Sequence, residues 1–356
     1  MLPQSQRRRS NVVSIRSLGF ATLLISVAGV AGCSTDRVVT PGRDEMAGAF
    51  AREVAYDPWT PAVSVETISG TSTEFNTTLL DGCPFISPDG KKFFMASNRN
   101  GGMGGIDIWV ATREKDGDPW GTPVNVGAPV NSSSNDFCPT IARDGHTFLF
   151  VSNRPGAGTC GGDDIYITRL RDDGTFEEPQ NPGCAVNSAG NEAGPFPLTE
   201  PGSGPVLYFS STRAGGFSQE APGALTGDAD IYRSEWTAGA YSGSVLVPNV
   251  NTAASEIQPN LQRDGVEMYF ASNRTGIPGT TGTLGGNDIF VATRASAHDA
   301  WRAPLNLGPH VNNGSSDETR PSLSWDATTL YFGSNRSGVE GMSDIFVTTR
   351  ERSGHN

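Results

Sequence analysis

An acidic residue stands three positions before a proline at five places: Asp81 before Pro84, Asp136 before Pro139, Glu192 before Pro195, Glu256 before Pro259 and Glu318 before Pro321. An arginine recurs as often, closing Ser97-Asn98-Arg99, Ser152-Asn153-Arg154, Ser211-Thr212-Arg213, Ser272-Asn273-Arg274 and Ser334-Asn335-Arg336. Five carboxylates around one mouth could hold a cation or cationic ligand, or supply an acid and a base for glycoside hydrolysis. Each could instead be neutralised by a repeat arginine in a bidentate, partly buried pair that stitches one repeat to the next. Matched numbers of acids and arginines make that structural pairing the first expectation. Hydrolysis also needs carboxylates in unlike environments, and near-identical repeats give like ones. Two carboxylates left unpaired at glycosidase separation would mark the enzyme.

Other chemistry is sparse, and no catalytic residue is assigned. The histidines are His146, His298, His310 and His355, and no Gly-x-Ser-x-Gly elbow accompanies them. Glycine-rich loops such as Gly101 to Gly105 join strand to strand, whereas a phosphate-cradling loop must run into a helix. The aspartates of the repeated Asp-Ile step, Asp107, Asp164, Asp230, Asp288 and Asp344, are expected to accept backbone N–H groups. Calcium at Asp163-Asp164, or at Asp228 with Asp230, is a minor alternative to the absence of any cofactor. No metal-ligand spacing is present. Cysteines at Cys83, Cys138, Cys160 and Cys184 form an even set suited to disulfides in an exported chain, and the favoured pairs are Cys83 with Cys138 and Cys160 with Cys184.

The elements that must position these residues follow from the repeat. The Ser-Asn-Arg step returns at spacings of 55, 59, 61 and 62 residues, each time after an aromatic run and before Asp-Ile-aromatic. Asp-Gly pairs at Asp89-Gly90, Asp144-Gly145 and Asp264-Gly265, with Asp326-Ala327 as a weaker version, join the first two strands as hairpins. Four strands per repeat describe an all-β propeller of five antiparallel blades. The last repeat stops after its third strand, while Trp59 and Pro61 echo the fourth-strand markers Trp301 and Pro304. An N-terminal strand is therefore expected to close the ring and remove its open edge. Six blades are the alternative, should residues 50 to 80 form more than one strand. The long loops Ala214 to Ala229 and Thr275 to Asn287 are expected to carry recognition.

Residues 1–32 have the form of a signal peptide, with Arg7, Arg8, Arg9 and Arg16 before an apolar stretch of 15 residues, Leu18 to Gly32. That stretch is shorter than the about 20 residues a membrane span needs. Val30-Ala31-Gly32-Cys33 resembles the lipobox of bacterial lipoproteins, which implies lipidation at Cys33 and an envelope location, outer membrane facing periplasm or cell surface. A flexible tether over 33–55, a propeller over 56–351 and a disordered tail over 352–356 complete the expected organisation. Removing the signal takes the formal charge from −12 to −16, which excludes nucleic acid as a partner.

Together the acid-x-x-Pro, Asp-Gly, Tyr-Phe-x-Ser-Asn-Arg, Gly-Gly and Asp-Ile-aromatic elements over residues 76–350 resemble the PD40, WD40-like propeller repeats of TolB type. The five repeats here depart from the six blades of TolB. The resemblance implies an envelope lipoprotein whose propeller is a binding scaffold for envelope proteins or cell-wall glycan, not an enzyme. The alternative is a glycan-active hydrolase using the channel-mouth carboxylates.

Overall fold

A computed structural model describes residues 56–353 except 69, 157, 202–203, 221–227 and 276–284. The signal segment, Cys33, the tether, His355, part of the loop Ala214 to Ala229 and most of the loop Thr275 to Asn287 lie outside the described residues. The described chain forms five antiparallel sheets arranged as blades. β1 (Val63–Ser64) precedes the first blade, which comprises β2 (Asp81–Ile86), β3 (Lys92–Ser97), β4 (Asp107–Thr112) and β5 (Val124–Asn125). Blade 2 holds β6 (Asp136–Ile141), β7 (Thr147–Ser152) and β8 (Asp164–Arg169). Its fourth strand is reduced to the bridges Ile167↔Gln180 and Leu170↔Phe176. Blade 3 is enlarged, with β9 (Glu192–Glu200), β10 (Gly204–Ser211), β11 (Asp230–Thr237), β12 (Ala240–Tyr241) and β13 (Val245–Leu246). Blade 4 follows as β14 (Glu256–Leu261), β15 (Glu267–Ser272), β16 (Asp288–Thr293) and β17 (Leu305–Asn306), and blade 5 as β18 (Glu318–Leu323), β19 (Thr329–Ser334) and β20 (Asp344–Thr349). The uniform four-strand expectation thus holds for blades 1, 4 and 5, the last completed by β1.

β1 closes the ring. Val63 pairs with Val347 and Ser64 with Phe346, and the preceding chain adds Thr60 N–H to Thr349 C=O. An outer edge that blade 5 could not cover itself is thereby paired. Five sheets with this closure give five blades, not six.

Central strands read as continuous apolar runs because both of their faces are covered by neighbouring blades. Phe93, Phe94 and Met95 of β3 are all buried, as are Phe148, Leu149 and Phe150 of β7. A repeated asparagine stitches the blades. Asn131 accepts the Ile108 N–H at 2.8 Å and donates back to the Ile108 carbonyl at 2.8 Å, mimicking a ladder pair with the third strand of the previous blade. Asn187, Asn251 and Asn312 do the same to Ile165, Ile231 and Ile289. Asn76 does so to Ile345, so the first repeat is tied to the last.

The acid-x-x-Pro element is a bulge. In every inner strand the pairing register shifts beside the proline, which has no N–H to give. The residue before it takes a left-handed conformation: Cys83, Cys138, Gly194, Gln258 and Arg320 have φ of 48°, 50°, 57°, 57° and 58°.

Candidate functional site

At the end of the channel where the inner strands begin, Asp81, Asp136, Glu192, Glu256 and Glu318 have side chains that are 0% exposed. Every one is paired with the arginine of its own repeat: Arg99, Arg154, Arg213, Arg274 and Arg336 approach to 2.5, 2.7, 3.3, 3.0 and 3.2 Å. The pairing departs from expectation in two respects. It joins strands within one blade rather than blade to blade, and a single Nη2 carries it, because Nε of each arginine is spent on the serine two residues earlier. Each arginine also caps the carbonyl of Phe75, Val130, Val186, Val250 or Val311 and lies over ring faces of its blade.

The same carboxylates accept bonds from the loop entering the strand, as Asp136 does from Ser132 N–H and Oγ. Burial pushes the Glu256 carboxyl up, against the opposing pull of Arg274 and of Thr252. These five pairs are charge-compensated and shielded from solvent. They form a framework: none of the five stands unpaired, so the pair of free carboxylates that glycoside hydrolysis at this mouth would need is not found there.

The Asp-Ile aspartates also serve the frame. Asp107 accepts from Met103 and Gly104 N–H, Asp164 from Cys160 and Asp344 from Glu340, Asp230 takes the Ser218 N–H, and Asp288 takes the Asn306 side-chain amide. Among the described residues no group of three or more His, Cys, Asp or Glu is placed to hold a metal ion. Cys83 is bonded to Cys138 across neighbouring inner strands, and Cys160 to Cys184. The His310 Nδ1–H donates to the Trp59 carbonyl, 2.7 Å away at the ring closure, and the His146 Nδ1–H to the Leu170 carbonyl at 3.0 Å.

The opposite mouth, where the inner strands end, is open. A cavity of about 390 Å³ lies there, and all five blades contribute to it: Phe85, Ala142, Phe196 with Leu198, Leu261 and Leu323 form its floor. Its wall is the enlarged part of blade 3, where Trp236 and Tyr241 meet edge to face at 4.9 Å, and Trp325 lines it from the turn of blade 5. Trp236 is 44% exposed. Polar groups stand at its rim: Arg143 and Asp144 of the blade 2 turn, Arg263 of the blade 4 turn, Thr199 and Ser324.

Partial burial would raise the Asp144 carboxyl. Hydrogen bonds from the Thr147 hydroxyl and from the Thr147 and His146 N–H groups overcome it and hold the group below its usual range. Arg143 and Arg263 have no ion-pair partner among the described residues.

Sequence reasoning missed this cavity. Its signal was the third repeat, the one with no Asp-Gly or Asp-Ala at its first hairpin: the chain runs Glu200-Pro201-Gly202-Ser203-Gly204 instead. The two strands beside it are longer, at 9 and 8 residues, than the 6 of their counterparts.

No protein-family model and no curated protein sequence matches the chain. Solved structures do. A structure described as an RGII complex aligns with a TM-score of 0.54 at 11% identity, over 88% of this protein and 97% of that one. The α-L-arabinofuranosidase of Lactobacillus brevis aligns at 0.51 and 11% identity, over 81% and 94%. The endo-arabinase of Bacteroides thetaiotaomicron aligns at 0.50 and 15% identity, over 77% and 96%. At such identities the likeness is one of fold. It corrects the expectation that a propeller of this form is a scaffold and not an enzyme, because in the last two neighbours the same form is the body of a glycan-cleaving protein.

Proposed function

We propose that this protein is a glycan-active propeller of the hydrolase class, and that it receives its saccharide in the aromatic cavity at the turn-side mouth. The cavity itself carries the reading. Pyranose and furanose rings offer C–H faces that stack on exposed indoles and phenols, with hydroxyls left for polar groups at the edge. Trp236, Tyr241 and Trp325 over an apolar floor, rimmed by Arg143, Asp144, Thr199 and Ser324, supply both kinds of contact. Fold neighbours described as an arabinofuranosidase and an endo-arabinase support the hydrolase class. Asp144, whose carboxyl the hydrogen bonds of its turn hold below the usual range, supplies negative charge at the rim rather than a proton.

The export features extend the proposal. Lipidation at Cys33 would leash the propeller to the bacterial envelope, as its PD40-like repeats also suggest, and so place the cavity among extracytoplasmic glycans. The test is titration calorimetry of the purified chain with arabinan, pectic and cell-wall oligosaccharides, alongside release of reducing ends. Binding that Trp236→Ala and Trp325→Ala each weaken, with turnover, supports the whole reading. Binding without turnover removes the hydrolase class and leaves the glycan site, and absence of binding removes both.

A further inference from the structure

The residue before the bulge proline is the channel's waist, and it is where the five blades cease to be alike. Around it the repeat is constant: acid at the strand start, proline after, arginine at the end of the next strand. At the waist itself stand Cys83, Cys138, Gly194, Gln258 and Arg320. Four of these are not glycine, yet all hold left-handed φ, and all four precede proline, whose ring restricts the residue before it to extended backbone. Backbone strain of this kind persists where the surrounding structure over-determines it, and it gathers at sites that use it.

The waist has a built asymmetry. The disulfide occupies the side of blades 1 and 2. Gly194 leaves room for blade 4, since a Cβ there would lie 2.5 Å from the Gln258 Cα. From blade 5 the Arg320 side chain reaches across to blade 1, where a Cβ on Gly82 would lie 3.0 Å from its Nη1.

Arg320 differs from the repeat arginines and from Arg294 and Arg350, all of which meet a carboxylate. It meets none among the described residues. Its Nε is buried without a hydrogen-bond acceptor, and the Oε1 of Gln258, which also lines the waist, is buried without a donor. A guanidinium stays charged in such surroundings, so an uncompensated one is a standing demand for an anion. Phe85 and Phe196 line both the waist and the aromatic cavity, so the two adjoin across these rings. Arg143 and Arg263, likewise without ion-pair partners among the described residues, stand at that cavity's rim in a chain of net charge −12.

We propose that Arg320 and Gln258 form the anion-reading end of the cavity, and that the glycan taken there carries a carboxylate, as a uronic acid does. The inference rests on the glycan reading above and names its substrate class. A planar carboxylate matches the guanidinium fork, and a neighbouring sugar hydroxyl donates to the Gln258 carbonyl oxygen, so one hydroxy-acid unit satisfies both orphaned groups. Arg143 and Arg263 draw further acidic units along the rim.

The test uses the purified full chain in detergent, titrated with a galacturonic acid trimer, its methyl ester and a neutral arabinose trimer. The wild type is expected to bind the acid about 10- to 100-fold more tightly than the ester, the range for losing a hydrogen bond to a charged group. Arg320→Gln should bring the acid down to the affinity of the ester, and Arg320→Lys should fall between. Equal affinity for acid and ester overturns the inference with the wild type alone, whether or not the variants fold, as does an unaltered affinity in Arg320→Gln. Binding of the neutral trimer in preference to the acid overturns it while leaving the glycan reading in place, and no binding of any trimer overturns both.

Discussion

The Arg350 guanidinium lies 4.5 Å from the ring centre of Trp59, a residue 291 positions earlier in the chain. Arg294 and Trp301 make the same contact at 4.1 Å in blade 4, and Arg113 and Trp120 at 4.0 Å in blade 1. In those blades the tryptophan comes shortly after its arginine, whereas in blade 5 it comes from the start of the propeller. Trp59 is therefore the latch of the ring, buried at 7% exposure against Tyr269. Trp59→Ala is expected to lower the unfolding free energy by about 3–5 kcal/mol, the range for truncating a buried aromatic. Denaturant titration followed by fluorescence measures it, and a loss below about 1 kcal/mol would show that the latch is dispensable.

Arg274 is the most buried of the repeat arginines, at 2% side-chain exposure beside a fully buried Glu256. Replacing it by Met leaves a carboxylate with no counter-charge, at an expected cost of about 3–5 kcal/mol, whereas Arg274→Met with Glu256→Leu should recover most of that loss. The pH dependence has a defined sign. Burial already raises the Glu256 carboxyl and Arg274 opposes it, so the single variant raises it further. A folded-state value above the unfolded one contributes stability in acid that is lost as pH rises through the folded value. Arg274→Met should accordingly be closest to wild type at low pH and furthest from it at neutral pH, which unfolding curves at several pH values will show.

Turn aspartates have the opposite sign. Asp89, Asp144 and Asp326 are each pushed up by burial but pulled down further by hydrogen bonds from the turn, ending below the usual value. Their contribution is present above the unfolded-state value and disappears as pH falls through the folded one. Asp144→Asn should reduce thermal stability at neutral pH, and the deficit should shrink as pH falls through the folded-state value of the wild-type carboxyl. A variant deficit that persists undiminished in acid would contradict this.

The two disulfides close loops of different length, 55 residues for Cys83–Cys138 and 24 for Cys160–Cys184. Removing either by paired serine substitution is expected to cost about 2–5 kcal/mol, with the longer loop costing more on the chain-entropy account. Calorimetry of the two double variants decides the order.

How far the sequence foretold this follows from what repeats and what does not. Blade count and closure were legible because Ser-Asn-Arg and Asp-Ile-aromatic recur at one period and because Trp59 echoes Trp301. The asparagine of each repeat was visible as a position, but its work was not, since Asn131 pairs with Ile108 of the previous blade and spacing alone does not reveal which backbone faces it. The carboxylate ring drew attention because acids look like chemistry, yet each is neutralised inside its own blade. Departures from the repeat hold the candidate site instead. Trp236 and Tyr241 belong to the lengthened blade 3, and Arg320 occupies the variable position of an otherwise constant motif, where periodicity gives no signal.

The most direct measurement is a crystal structure of the protein with an oligosaccharide that it binds. The account predicts sugar rings stacked between Trp236 and Trp325 at the turn-side mouth, within reach of the waist. Sugar seated instead at the opposite mouth, against Asp136 or Glu256 with their arginines displaced, would contradict it.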